Sequence, residues 1–214
     1  MNWLNTFFSD GYFFAFLIAL IVLGQIQAAQ LRKRLTRDDS HSVVLAAFKG
    51  IPHHEIREKQ AQLEMLGFRR LVDYTKDSFN TLAQRYVCSA FNAPDGVTLG
   101  SVEYYRSWRF GSFLASLMRW ERLYLMFGIV FTTFCEDGTR ILTSSIMRED
   151  IWQESTKTTK VPPGTPLAEM YRIHREKVES FTKPRDISAI KVSSADELFR
   201  LNQIHLQKTA RHIK

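Results

Sequence analysis

The chain has 214 residues, a formal net charge of +7 and a pI near 9.5, with 45% hydrophobic and 24% charged residues and a mean hydropathy of −0.19. That length admits one domain with an appendage, and the apolar share excludes a disordered tail, a collagen-like fibre and a polytopic channel. Two cysteines are too few for a disulfide scaffold.

Residues 11–29, GYFFAFLIALIVLGQIQAA, form nineteen positions without a charge. A helix of that length reaches roughly 28 Å, close to the hydrocarbon thickness of about 30 Å. From Tyr12 to Leu23 the run is apolar on every face, whereas a core helix keeps a polar stripe. A cleaved signal peptide needs positive charge before its apolar run. Here Met1 to Asp10 carries no Lys or Arg, and Arg32, Lys33, Arg34 and Arg37 follow the run instead. The pattern predicts a signal-anchor: residues 1–31 as a single-pass transmembrane helix in the inner cell membrane, its N-terminus outside and the rest of the chain cytoplasmic. Tyr12 fits an outer aromatic belt, and Gln25 and Gln27 near the inner end can meet headgroups or hydrogen-bond another helix.

Residues 32–51 are read as a basic juxtamembrane linker and 52–214 as a cytoplasmic α+β domain. Helix formers dominate from Pro52 to Leu66, and Gly67 suits a left-handed stop. Short aromatic and β-branched runs follow, FRRLVDY (68–74), RYVCSAF (85–91), VTLGSVEYY (97–105), LYLMFGIVFTTF (123–134) and TRILTSSI (139–146). Ala93-Pro94-Asp95-Gly96 and Glu136-Asp137-Gly138 supply tight turns between them. The expected fold is an antiparallel sheet of about five strands packed by C-terminal helices. Gly100 and Gly128 lie singly in strand patterns, where a bulge or close backbone approach is the ordinary reason.

After Val161-Pro162-Pro163-Gly164, Thr165 can cap a helix with Pro166 at its first position. Leu167, Met170, Tyr171, His174, Val178 and Phe181 then recur at helical spacing. A last helix opens with the capping box Ser194-Ala195-Asp196-Glu197 and turns Leu198, Leu201 and Ile204 inward.

Chemical motifs are sparse. His53-His54-Glu55 has ligand-type side chains, but adjacent helical residues point about 100° apart and do not converge on a metal. His174 in an apolar stripe reads either as a general base or as a partly buried imidazole bonded to a backbone group. Cys88 and Cys135 read as buried free thiols. There is no GxSxG, P-loop or GxGxxG, so no catalytic residue, metal site or cofactor is expected. Arg106, Trp108, Arg109, Arg119, Trp120 and Arg122 bracket the apolar stretch Gly111 to Met118. That composition suits anionic headgroups or a membrane partner, or else arginines facing water beside a core-capping segment. The expected partners are the lipid bilayer and another membrane protein. Nucleic acid is not expected, because four basic residues belong to the anchor flank and the others are mixed with acids.

The expected role is a non-catalytic accessory or scaffolding subunit at the cytoplasmic membrane face. The alternative is a membrane-tethered module that holds a lipid or small apolar ligand between sheet and helices.

Overall fold

The computed structural model describes residues 40–48, 50–76, 83–107, 125–146 and 155–212, with positions 18, 21, 22 and 25 of the N-terminal run. The chain divides into two compact units, Met1–Arg37 and Asp38–Lys214. In the first, Ile18, Ile21, Val22 and Gln25 are helical and exposed. Their spacing is that of one helix face. The other anchor and flank positions, Tyr12, Gln27, Arg32, Lys33, Arg34 and Arg37 among them, lie outside the described residues. Among the described residues no helix is long and apolar enough to cross a membrane.

Among its described residues the second unit is an α+β domain of seven strands and three α-helices in chain order. These are β1 (Ser40–Ser42), α1 (His53–Met65), β2 (Arg69–Lys76), β3 (Ala83–Asn92), β4 (Thr98–Ser107), β5 (Leu125–Phe134), β6 (Arg140–Ser144), β7 (Thr156–Lys160), α2 (Leu167–Thr182) and α3 (Ala195–His212). The strands form one seven-stranded sheet in sequence order. Pairing is antiparallel from β1 to β6, and β7 joins parallel to β6. The expected five-strand antiparallel sheet is thus extended by a strand at each edge. Part of the expected linker is also folded: β1 lies within it, and Leu45 and Ile51 are buried in the core.

Local chemistry accounts for the boundaries. α1 ends in a Schellman arrangement, with Gly67 at φ +84° and the amides of Gly67 and Phe68 donating to the carbonyls of Glu64 and Leu63 at 2.9 and 3.1 Å. The turns after β3 and β5 use one device. A glycine at positive φ, Gly96 or Gly138, follows an aspartate whose carboxylate accepts from the amide two residues later, Val97 to Asp95 at 2.9 Å and Thr139 to Asp137 at 2.8 Å. Before α2, Thr165 departs from its expected capping role, because its hydroxyl donates to the Pro162 carbonyl at 2.7 Å. The capping box of α3 is shifted at one end. Ser194 Oγ accepts from the Glu197 amide, while the Glu197 carboxylate takes the amide and hydroxyl of Ser193.

Strand alternation splits the core into two layers. Val87, Phe91, Val102, Ile129 and Phe131 face α1 and α2, with Ile56, Leu63, Leu167 and Met170 packed on them. Cys88, Ala90, Leu99, Val130 and Leu142 face the other way, under Leu198 and Leu201 of α3. The sheet is therefore covered on both faces. The first helix shares one face with α2, while the last helix holds the other. Ile204, expected inward, is 38% exposed, and buried His205 takes that face by bonding Thr156 across 3.0 Å.

Candidate functional site

Under α3 the register aligns Tyr74 of β2, Cys88 of β3, Glu103 of β4 and Gly128 of β5 in one row. Tyr74, Cys88 and Glu103 are all buried. Burial is the largest influence on both the Tyr74 phenol and the Cys88 thiol, and Glu103 adds to it, so both are held well above their ordinary values and stay protonated. The Ser101 hydroxyl donates to Glu103 at 3.3 Å and lies 3.2 Å from the Val130 carbonyl. Beside this row is a cavity of about 70 Å³, with Tyr86, Ser101, Ser144 and Asn202 in its wall. Its polar wall suits ordered water.

Gly128 closes the row for a steric reason. A Cβ there would lie 2.5 Å from Ile146 Cγ1 and 2.8 Å from Ser145 Oγ. The stretch after β6 folds back here, with the Ile129 amide donating to Ser145 Oγ at 3.1 Å. Gly128→Ala is expected to lower stability by about 1–3 kcal/mol, the usual cost of overpacking. The urea midpoint checks this, and an unchanged midpoint would show that the chain after β6 yields freely.

On the opposite face His174 is fully buried, with Nε2 3.0 Å from Thr133 Oγ1 on β5 and Nδ1 3.0 Å from Thr143 Oγ1 on β6. The partners are two side-chain hydroxyls, not the expected backbone group. Burial lowers the imidazole pKa to about 4, against a smaller opposing pull from Asp95, so the ring is neutral near pH 7 and one hydroxyl donates while the other accepts. Asp95 also accepts from the Tyr171 hydroxyl at 3.1 Å, tying the β3–β4 turn to α2. Gln60 of α1 donates to Ser89 of β3 at 2.8 Å in the same layer.

Between α1 and the start of α2 an open groove of about 590 Å³ runs over the sheet. Phe127, Gly128 and Ile129 are its floor, Met65 and Leu66 one wall, and Leu167 and Met170 the other. This size is within the range of small-molecule sites. Met65 is 78% exposed at the rim.

The candidate residues read from the sequence do not gather here. Arg106 is in β4, while Trp108, Arg109, Arg119, Trp120 and Arg122 lie outside the described residues. His53 Nε2 bonds the Phe48 carbonyl at 2.6 Å, and His54 and Glu55 are exposed. Among the described residues no three His, Cys, Asp or Glu side chains are placed to hold a metal. Cys88 and Cys135 are buried free thiols, and burial raises Cys135 to about 11. The two polar clusters were missed. Glu103 had a signal, the single acid of its strand set between Val102 and Tyr104, whereas Thr133 and Thr143 meet His174 only through pairing. Compared with family models, curated proteins and solved structures, the chain matches none of them.

Proposed function

We propose that the chain is a single-pass membrane protein whose α+β domain serves on the cytoplasmic side as a non-catalytic accessory or scaffolding subunit. One observation carries this: the nineteen uncharged residues 11–29, followed at once by Arg32, Lys33, Arg34 and Arg37. The exposed apolar positions Ile18, Ile21 and Val22 are consistent with a lipid-facing helix.

The sheet adds support. The domain begins at β1, where Ser40 opposes Lys76, the last residue of β2. β4 ends at Ser107 and β5 starts at Leu125 at this same end. Residues 108–124, which carry the Arg and Trp positions, connect these two strands in the sequence. A bilayer-facing role for that segment fits its composition, since Trp and Arg favour the headgroup zone.

The alternative, a lipid or small apolar ligand held between sheet and helices, is favoured by the α1/α2 groove. One experiment separates the two. The full chain is expected to stay in the pellet after carbonate extraction, and to bring an integral membrane protein with it in fixed ratio through mild-detergent chromatography. Release by carbonate overturns the anchor. Elution alone overturns the accessory role, and elution alone with a stoichiometric lipid supports the groove.

A further inference from the structure

The groove between α1 and α2 is apolar along its floor, at Phe127 and Ile129, and along its walls, at Leu66, Leu167 and Met170. Its polar side chains are mostly committed to the protein itself. Ser145 Oγ lies 3.1 Å from the Ile129 amide and 3.4 Å from its carbonyl, and Thr165 donates to the Pro162 carbonyl at 2.7 Å. Gln62 bridges two neighbours, donating to Glu58 at 3.0 Å and accepting from Lys59 at 3.2 Å. Lys59 is different. Among the described residues it is the one ionisable side chain in the lining, and no carboxylate pairs with it. An ammonium has three donors, so after the bond to Gln62 two remain for a ligand.

An apolar trough with a single placed cation suits an amphiphile with an anionic head. The floor is a sheet face and not a sheet edge, so a peptide strand laid along it would find no backbone partners for its own N–H and C=O groups. An acyl chain has none to satisfy. Met65, largely exposed at the rim, offers such a chain further apolar surface to cover.

We infer that this groove binds a free long-chain fatty acid, with its chain along Phe127 and Ile129 and its carboxylate on the Lys59 ammonium. This deepens the second reading proposed above, a lipid or small apolar ligand between sheet and helices, and rests on it. Lys59 then selects the charge of the head, while the groove walls select the chain.

The test uses the full chain in phosphatidylcholine nanodiscs with a hexadecanoic acid probe that carries a diazirine near its chain end. After irradiation the labelled peptides are mapped by mass spectrometry, and labels within residues 11–29, which any bilayer probe would give, are set aside. Labels are expected at Met65, Leu66, Phe127 or Leu167, and should fade as unlabelled hexadecanoic acid is added. Hexadecanol, with the same chain and no charge, should need roughly tenfold more, the factor for one charge-assisted bond. Lys59→Gln should weaken displacement by the acid to the level of the alcohol and leave the alcohol unchanged, which would also show the groove to be intact. Lys59→Arg, which keeps the charge, should retain most of the preference for the acid.

Equal displacement by acid and alcohol in the natural chain overturns the pairing with Lys59 and leaves an uncharged ligand in the groove. Labels confined to other parts of the domain overturn the proposal and the reading beneath it. Displacement by added phosphatidylglycerol but not by the free acid overturns the fatty acid and assigns the groove to a membrane lipid.

Discussion

Lowering the pH from 7 to 4 is expected to remove about 3 kcal/mol of stability through His174 alone. In the unfolded chain this histidine titrates near its ordinary value of 6.5, whereas in the fold burial holds it to about 4. Between those two values the unfolded state binds the extra proton, so stability falls as the pH drops through the interval. The slope approaches about 1.4 kcal/mol per pH unit. Above pH 6.5 the contribution is fully present, and below 4 it does not fall further.

Asp95 acts in a separate window. Burial pushes its carboxyl up, but the bonds from Thr98, Val97 and Tyr171 outweigh that and hold it below 3.8. Its contribution is therefore lost only at still lower pH. Urea unfolding of the full chain in mild detergent at several pH values measures the His174 effect, with His174→Gln as the comparison. The variant should be weaker at pH 7 but flatter between pH 6.5 and 4.5. Parallel curves for the two proteins would show that the Thr133–His174–Thr143 unit accepts a proton without cost.

Phe131→Ala is expected to be the more damaging core truncation, at about 3–5 kcal/mol. Phe131 is fully buried, with ring centroids 5.7 Å from Phe68, 5.6 Å from Tyr171 and 6.0 Å from His174. Gly100, its register partner on β4, makes that packing possible, because a Cβ there would lie 3.0–3.2 Å from Phe68, Leu63 and Phe131. One ring thus supports α1, the strand after it and α2. Removing it leaves a void bounded by a sheet and two helices, which cannot all collapse inward together. Phe131→Leu, which keeps most of the volume, should lose much less. A loss under about 1 kcal/mol for the alanine variant would show that the helices settle onto the sheet.

Much of the sheet could be read directly from residue pattern. β2 to β6 fall within a few residues of the expected runs because apolar alternation marks them and Pro94-Asp95-Gly96 and Asp137-Gly138 punctuate them. β1 and β7 carry no such pattern. Their sequences, SHS and TKTTK, are polar edge segments held by backbone pairing, and lysines on an edge strand discourage further strand addition. Helix positions were readable but their faces less so. The inward stripe of α3 includes Asn202 and His205, polar residues that burial tolerates because the sheet supplies partners such as Thr156.

Site chemistry was least readable for the same reason. The partners of His174 are 41 and 31 residues away in the chain and meet it only once β5 and β6 are paired.

Because the strands sit in the order in which they are synthesised, each strand meets a neighbour that has already left the ribosome. Pairing between chain neighbours keeps sequence separations short and favours fast assembly. The exception is the face that holds Tyr74, Cys88 and Leu99, since the helix that covers it is formed by residues 195–212, which follow all seven strands. During synthesis one apolar layer can close on α1 early, while the other stays open until residues 195–212 have emerged. Helix α3 is then a late seal, and the time between β7 and α3 is when the nascent domain is most exposed to wrong association.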